Sequence, residues 1–428
     1  MSTVFSRRIG TAAVLAAILI PPASAAEPLT LQEAQRVAVG RSQLLVANNA
    51  SIAATREMAV AAGQLPDPIL KFGIENLPVN GPDRLSLSRD FMTMRRIGLS
   101  QEIPATQKRQ LRAERYEREA GRASAERLLN VANIERETAL AWIERFYNDK
   151  MRDLLLRQIR ETELQVQTAK SGYGTGRNSQ SDVLAGHAAL VTLEDRLTQI
   201  NRQDQNASWT LARWVGPAAN RSISAVAPAW QDSHVDGGSI EEHVAYHPDL
   251  VIARAQVEAA ETEARLAETN RKADWSVEAT YSQRGPTYSN MVSIGVSVPL
   301  QWDRRNRQDR EVSAKLAAVD EARAKYEEML RQHEVEVRNL LNDWRTGKGR
   351  VARYRDELVP IAKQRSEAAL TAYRAGKGDL AATLVTRRDE VDAHIQALAV
   401  EMEAARAWAQ INFLIPDHAG AMPRQEKP

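Results

Sequence analysis

His243 and His247 stand four residues apart, a spacing that sets two imidazoles on one face of a helix. In HExxH that face binds zinc and an acid between the histidines serves as general base. Here no acid intervenes and Pro248 follows at once, so the pair yields no metal site. His333 falls on an apolar stripe of a long helical segment, where a packing or network role is expected. Met92 and Met94, in DFMTMRR, offer thioethers that suit a soft ion such as Cu(I), and serve equally as flexible apolar filler at a strand start. Gly172, Gly174 and Gly176 imitate a phosphate loop, but the order GxGxxG is not met and no GK[ST] follows. Ser, His and Asp are scattered without the context of a triad. The expectation is therefore no enzyme, no cofactor and no metal, with Met92 and Met94 the remaining ligand candidates.

The elements around these residues say more. Of 428 residues, 26% are charged and 43% apolar, which excludes a disordered chain. A net charge of +2 gives no case for a nucleic-acid partner. Aromatics at 5% and abundant Ala, Glu, Arg, Leu and Gln suit long helices. Arg7 and Arg8, the apolar run IGTAAVLAAILI and the small residues PPASAA read as a cleaved export signal over 1–25, with cleavage near Ala25 or Ala26. Absence of Cys excludes disulfides and an acylated N-terminal Cys. Beyond the signal no apolar run reaches 18 residues, so any membrane entry must be as strands of a closed barrel.

The chain states itself twice. YGTGRNSQSDVL at 173–184 returns as YRAGKGDLAATL at 373–384, pairing Tyr173 with Tyr373, Gly176 with Gly376 and Leu184 with Leu384. Segments 42–64 and 248–270 align without gaps, and RIGLSQEIPATQKR at 96–109 resembles SIGVSVPLQWDRRN at 293–306. ASWTLARWVG closes the first half as ARAWAQINFLIP closes the second. Four anchors in the same order define a first repeat over 27–216, a linker over 217–238, a second repeat over 239–416 and a tail over 417–428.

Each repeat reads as a helix (near 44–65 and 250–271), a hairpin, a very long helix and a returning helix. The hairpin strands are expected near 69–77 and 94–103, then near 275–284 and 291–300. In WSVEATYSQR and MVSIGVSVPL, apolar and polar residues alternate, so each strand has two environments. About ten residues match a tilted membrane-crossing strand. The alternative is a water-soluble hairpin packed on the helices. If the strands cross a membrane, four cannot close a barrel, so several copies must pool them, and three copies would give twelve strands, enough for a lumen. The long helix of the second repeat, near 306–373, spans roughly 100 Å at 1.5 Å per residue. Val312, Leu316, Val319, Tyr326, Leu330, Val337, Leu340, Trp344, Val351, Tyr354, Leu358 and Ile361 form its seam. Arg323, His333 and Gly347 occupy the missed slots, and Pro360 is expected to kink the far end. A matching helix is expected near 109–172.

At the turn, Gly176 and Gly376 suit a left-handed residue past a helix end. Ser179 with Asp182 forms a capping box, and Asp379 caps the second copy. Arg177 and Lys377 place a positive charge after each glycine.

The order helix, hairpin, long helix, Tyr-x-x-Gly turn, helix, stated twice from LTLQEA to FLIP, resembles the TolC-like outer-membrane efflux family. QLPDPILKFGIENLPVNGP with DFMTMRR is similar to its heavy-metal branch, which includes CusC-like and CzcC-like channels. The resemblance implies a mainly α fold with a β-barrel part: a homotrimer whose twelve-stranded outer-membrane barrel continues as a twelve-helix periplasmic α-barrel. It implies a passive exit duct of a tripartite system in a Gram-negative outer membrane, exporting heavy-metal cations with a periplasmic adaptor (membrane-fusion) protein and a proton-driven inner-membrane pump of the RND type. Tyr173, Gly176, Arg177, Asp182, Tyr373, Gly376, Lys377 and Asp379 would lie at the periplasmic tip, where the entrance is gated and the adaptor docks. Ala382 and Val385 depart from the acids that some members place there. Two other readings stand beside this one: a periplasmic coiled-coil adaptor or scaffold, and the same duct serving drugs or secreted proteins. The outward apolar strand faces disfavour the scaffold.

Overall fold

The structure, a computed structural model, describes residues 27–176, 179–233, 235, 244 and 247–414. The expected signal, the tail, Arg177 and His243 lie outside the described residues.

The first half runs α1 (Leu31–Arg41), α2 (Gln43–Gly63), β1 (Ile69–Glu75), β2 (Met94–Ile103), α3 (Thr106–Gly174) and α4 (Gln180–Val215). The second runs α5 (Pro248–Thr269), β3 (Trp275–Gln283), β4 (Met291–Ser297), α6 (Gln308–Arg353), α7 (Val359–Arg374) and α8 (Leu380–Asn412). Among the described residues no helix is long and apolar enough to cross a membrane.

Three strands stop short of the sequence reading. β1 ends at Glu75 because Asn76 turns left-handed at φ 55° two residues before Pro78. β3 ends one residue early, at Gln283. β4 ends at Ser297, just ahead of Val298-Pro299, since proline cannot donate to a ladder.

α3 is continuous for 69 residues, roughly 100 Å of rise. It packs against α2, α4, α5 and α8 and so forms the spine of the protomer. Its counterpart is divided: α6 gives way to a π-helical turn over Tyr354–Leu358 and resumes as α7. Pro360 lacks an N–H and its ring crowds the carbonyl four residues earlier, so the widened turn immediately before it absorbs the conflict.

The α6 seam also differs from the sequence reading. Val312, Val319, Val337 and Trp344 are buried, whereas Leu316, Leu358 and Ile361 are exposed, and Leu341 takes the place of Leu340. Of the three slots that broke the pattern, His333 and Gly347 are buried and Arg323 is exposed. A Cβ at Gly347 would lie 3.0 Å from the Ala404 Cβ, so any larger residue would push α8 away by a few tenths of an ångström.

The main core is a belt across the middle of the long helices. Trp142 stacks on Phe146 at 5.2 Å, and Phe146 meets Tyr147 edge-on at 5.0 Å. Extended chain straps the belt through indole N–H groups: Trp142 donates to the Leu29 carbonyl at 3.0 Å, Trp344 to Trp230 at 2.8 Å and Trp408 to Asp232 at 2.8 Å. Leu29 pairs with Ile223 as a short parallel bridge. The linker carbonyls therefore satisfy the tryptophans of α6 and α8, and the segment before α1, paired with the linker through Leu29, satisfies that of α3.

Both hairpins join one antiparallel sheet in the order β1-β2-β3-β4. Register sets Phe72 opposite Ile97, Ile97 opposite Tyr281 and Tyr281 opposite Val292. Leu70, Leu99, Ala279 and Ile294 make the adjacent row on the same face.

Candidate functional site

The two repeated turns close the helical end of the molecule by the same backbone device. α3 ends at Gly174, and the Gly176 amide donates to the Tyr173 carbonyl at 3.1 Å with φ +72°. α7 ends at Arg374, and the Gly376 amide donates to the Tyr373 carbonyl at 3.0 Å with φ +69°. A left-handed residue after a helix end satisfies otherwise orphaned carbonyls, and glycine adopts it without a Cβ clash.

The returning helices are capped differently. Ser179 and Asp182 form a reciprocal box: the Asp182 amide donates to Ser179 Oγ at 3.2 Å, and the Ser179 amide donates to Asp182 Oδ2 at 2.8 Å. In the second turn Asp379 alone accepts, from the Ala382 amide at 2.6 Å. The Lys377 amide donates back to the Ala372 carbonyl at 2.9 Å.

Side chains at matching positions part company. Leu384 is 8% exposed and packs with Leu380 and Ala169, with Val183, Ala185 and Tyr373 around them, which joins the two helical hairpins. Leu184, its repeat mate, is 61% exposed. Tyr173 is 53% exposed, whereas Tyr373 lies partly buried against that cluster. Ala382 and Val385 are both exposed.

Above the tip, α8 is held to its neighbours by ion pairs that sequence spacing does not reveal, because they bridge positions far apart in the chain, with one i,i+3 pair inside the helix beside them. Arg387 binds Glu161 of α3 and, at 2.8 Å, the buried Glu390 of its own helix. Arg196 of α4 binds Asp392, and Arg365 of α7 lies 3.8 Å from Asp389. Leu155, Ile159, Leu193 and Val391 fill the space between these levels.

At the opposite end the sheet has the reverse of a water-soluble polarity. Phe72 is 84% exposed and Ile294 78%, in the apolar rows described above. Thr280 and Ser282, on the other face, are buried. That polar face carries Lys71, which binds Glu278 at 2.7 Å, and Arg96, which binds Glu75 and reaches Glu278 at 3.3 Å. Met94 begins β2; Met92 precedes it, 47% exposed, its amide on Asp90 Oδ1 at 2.9 Å. Beneath the sheet, Lys108 Nζ is buried on both Asp274 carboxylate oxygens at 2.8 Å, tying the start of α3 to the start of β3.

A family profile described as outer membrane efflux protein matches residues 240–415. No curated protein sequence matches the chain. The fold is that of solved outer-membrane channels. It superposes on the outer-membrane channel OprN with a TM-score of 0.74 and 15% identity, covering 90% of this chain and 89% of that one. The outer-membrane protein VceC of Vibrio cholerae gives 0.69 and 17% over 89% and 96%, and CusC gives 0.73 and 10% over 90% and 92%. The likeness to CusC is no greater than that to OprN, so the fold does not single out a branch.

Proposed function

We propose that this protein is a passive outer-membrane exit duct, a homotrimer whose pooled strands form a twelve-stranded barrel and whose helices form a twelve-helix tube in the periplasm. One observation carries the reading: the apolar face of the sheet is the exposed one, and the charged network lies on the other. In water that arrangement is unfavourable at about 25 cal/mol per Å² of apolar surface left exposed. In lipid it is the stable one, with the Lys71–Glu278–Arg96 face turned to an aqueous lumen. β1 and β4 each leave one edge unpaired in the protomer. Lipid tolerates no open edge, which favours closure through neighbouring copies.

The tip turns are read as the gate and the docking point for a periplasmic adaptor, with a proton-driven RND-type pump beyond it. Tyr173, Gly176, Arg177, Asp182, Tyr373, Gly376, Lys377 and Asp379 would form that end. Heavy-metal cations are the favoured cargo, on the strength of the QLPDPILKFGIENLPVNGP segment, with Met92 and Met94 beside the barrel's polar face. Drugs or secreted proteins are the other cargoes such a duct could pass.

Reconstitution of detergent-purified protein in planar bilayers, with its mass measured in parallel, tests the duct. A conducting trimer is expected; a water-soluble monomer that never conducts would sink it. Replacing Tyr173 and Tyr373 together by Ala should raise the resting conductance, and an unchanged conductance would remove both tyrosines from the gate. A deletion strain should lose tolerance to one or more of Cu, Ag, Zn, Co and Cd; intact metal tolerance would refute the metal cargo and leave the duct standing.

A further inference from the structure

Among the described residues, one group of His, Asp and Glu side chains gathers with metal-ligand spacing, and it lies in the central belt, away from both the tip and the sheet. His247, at the N-cap of α5, and His333, in the middle of α6, stack with ring centroids 3.9 Å apart and planes 28° from parallel. Asp249, two residues into α5, completes the group: Oδ2 is 3.8 Å from His247 Nδ1 and 3.7 Å from His333 Nε2. One donor atom of each residue lies within 4.8 Å of the others. His247 and His333 are 3% and 8% exposed, whereas Asp249 keeps an open side toward solvent.

The hydrogen bonds decide what these atoms present to one another. His247 Nδ1 accepts from the Asp249 amide at 3.2 Å, so it carries a lone pair and no proton, and an ion bound there takes that lone pair from the amide. His333 Nδ1 lies 3.0 Å from Glu336 Oε2, the contact that fixes the Nδ1–H tautomer and leaves Nε2 as a second lone pair. With the Asp249 carboxylate, three acceptors thus converge and no donor lies between the second histidine and the acid. Arg136 faces the cluster from α3 and adds positive charge, which the Asp249 and Glu336 carboxylates outweigh two to one.

We propose that His247, Asp249 and His333 bind one divalent transition-metal ion per chain, with Glu336 as the residue that orients His333. Two imidazoles and a carboxylate are a borderline N₂O donor set that suits Zn²⁺, and also Co²⁺ or Ni²⁺. At metal–ligand distances of about 2.0–2.2 Å, tetrahedral donors sit roughly 3.3 Å apart; Asp249 Oδ2 is about half an ångström beyond that from each imidazole, whereas the two rings, with donor nitrogens within 4.8 Å, must turn out of their stack to converge on the ion. The fourth position falls on the open side of Asp249, where water can enter. The ion pins the beginning of α5 to the centre of α6. It is a resident structural ion, and the site stands whether or not metals are the cargo of the duct.

The test uses the full-length trimer in detergent, purified without a polyhistidine tag and stripped with a chelator. Titration with Co²⁺ should give one equivalent per chain and a visible d–d absorption, and Zn²⁺ should displace it and raise the unfolding temperature. His333→Gln and Asp249→Asn should each weaken Zn²⁺ affinity at least about a hundredfold, and Glu336→Gln about tenfold. The double variant His187→Gln/His394→Gln, remote from the cluster, should bind as the parent does. Helical content and trimer mass of each stripped variant, equal to those of the stripped parent, would show that lost binding is not lost folding. Substoichiometric binding, or affinity unchanged in both His333→Gln and Asp249→Asn, would overturn the site.

Discussion

The turns at 173–184 and 373–384 are the same phrase in sequence and the same backbone in space, yet one faces inward and the other outward. Gly176 and Gly376 differ by 3° in φ, and their amides donate to the matching tyrosine carbonyl. Leu384 is nevertheless buried between the hairpins while Leu184 is exposed, and Tyr373 leans on the cluster that Tyr173 does not reach. Local grammar builds the turn; its place in the fold decides which side of it is spent on the protomer's own core. The first turn is left with an apolar surface, including Leu184 and Val191, that nothing in the protomer covers.

The largest test of this contrast is Leu384→Ala. Removing a side chain from the sealed inter-hairpin cluster should lower the local opening free energy of the α8 N-terminus by about 2–3 kcal/mol. Hydrogen exchange of the amides at 383–391 reads that directly, and the same experiment on Leu184→Ala should show almost nothing at 183–191. Equal losses in the two variants would mean that the turns are equivalent after all. A smaller effect should be common to both copies. Gly176→Val and Gly376→Val each force a β-branched residue into left-handed backbone, at about 1–2 kcal/mol, although open space surrounds both positions. Matched losses in exchange protection would confirm that the backbone device is shared, and a large inequality would break it.

Caps come next in size and should separate the copies again. Asp379→Ala removes the one side-chain cap of α8, worth about 1 kcal/mol. Ser179→Ala leaves the Asp182 carboxylate free to accept from the residue 179 amide, so its loss should be about half as large. Fraying of the first turn of each helix, followed by amide exchange, ranks the two.

What the sequence made legible follows the same division. The four strands, the long helices, the capping box and the left-handed glycines were readable, because each depends on residues close together in the chain. Pro360 was readable as a disturbance, but not its resolution as a π-helical turn rather than a kink. His333 and Gly347 read as breaks in an apolar stripe. They are the points where a neighbouring element comes closest, Asp249 in one instance and Ala404 in the other. His243 drew the eye to a helical pair, whereas the partner that His247 meets is 86 residues away on another helix. Arg387 with Glu161 and Arg196 with Asp392 were invisible for the same reason, since each joins helices from different halves. The unequal fates of Leu184 and Leu384 could not be read at all from two copies of one motif.

The smallest stability effect is the most informative about assembly. Leu184→Ala should change the protomer's own stability by no more than about 0.5 kcal/mol, since a side chain already in water loses little on truncation. The same leucine presents its apolar surface beside Val191 on the outward face of α4. If that face is covered only when the tube is complete or the adaptor is docked, Leu184→Ala should weaken trimer or adaptor association while leaving exchange within the protomer untouched. Trimer mass across a detergent dilution series, and adaptor retention on immobilised protein, give the two readouts. A variant that holds both partners as tightly as the parent would show that Leu184 faces water in the working duct, and that the two turns differ only because one of them has nothing left to bury.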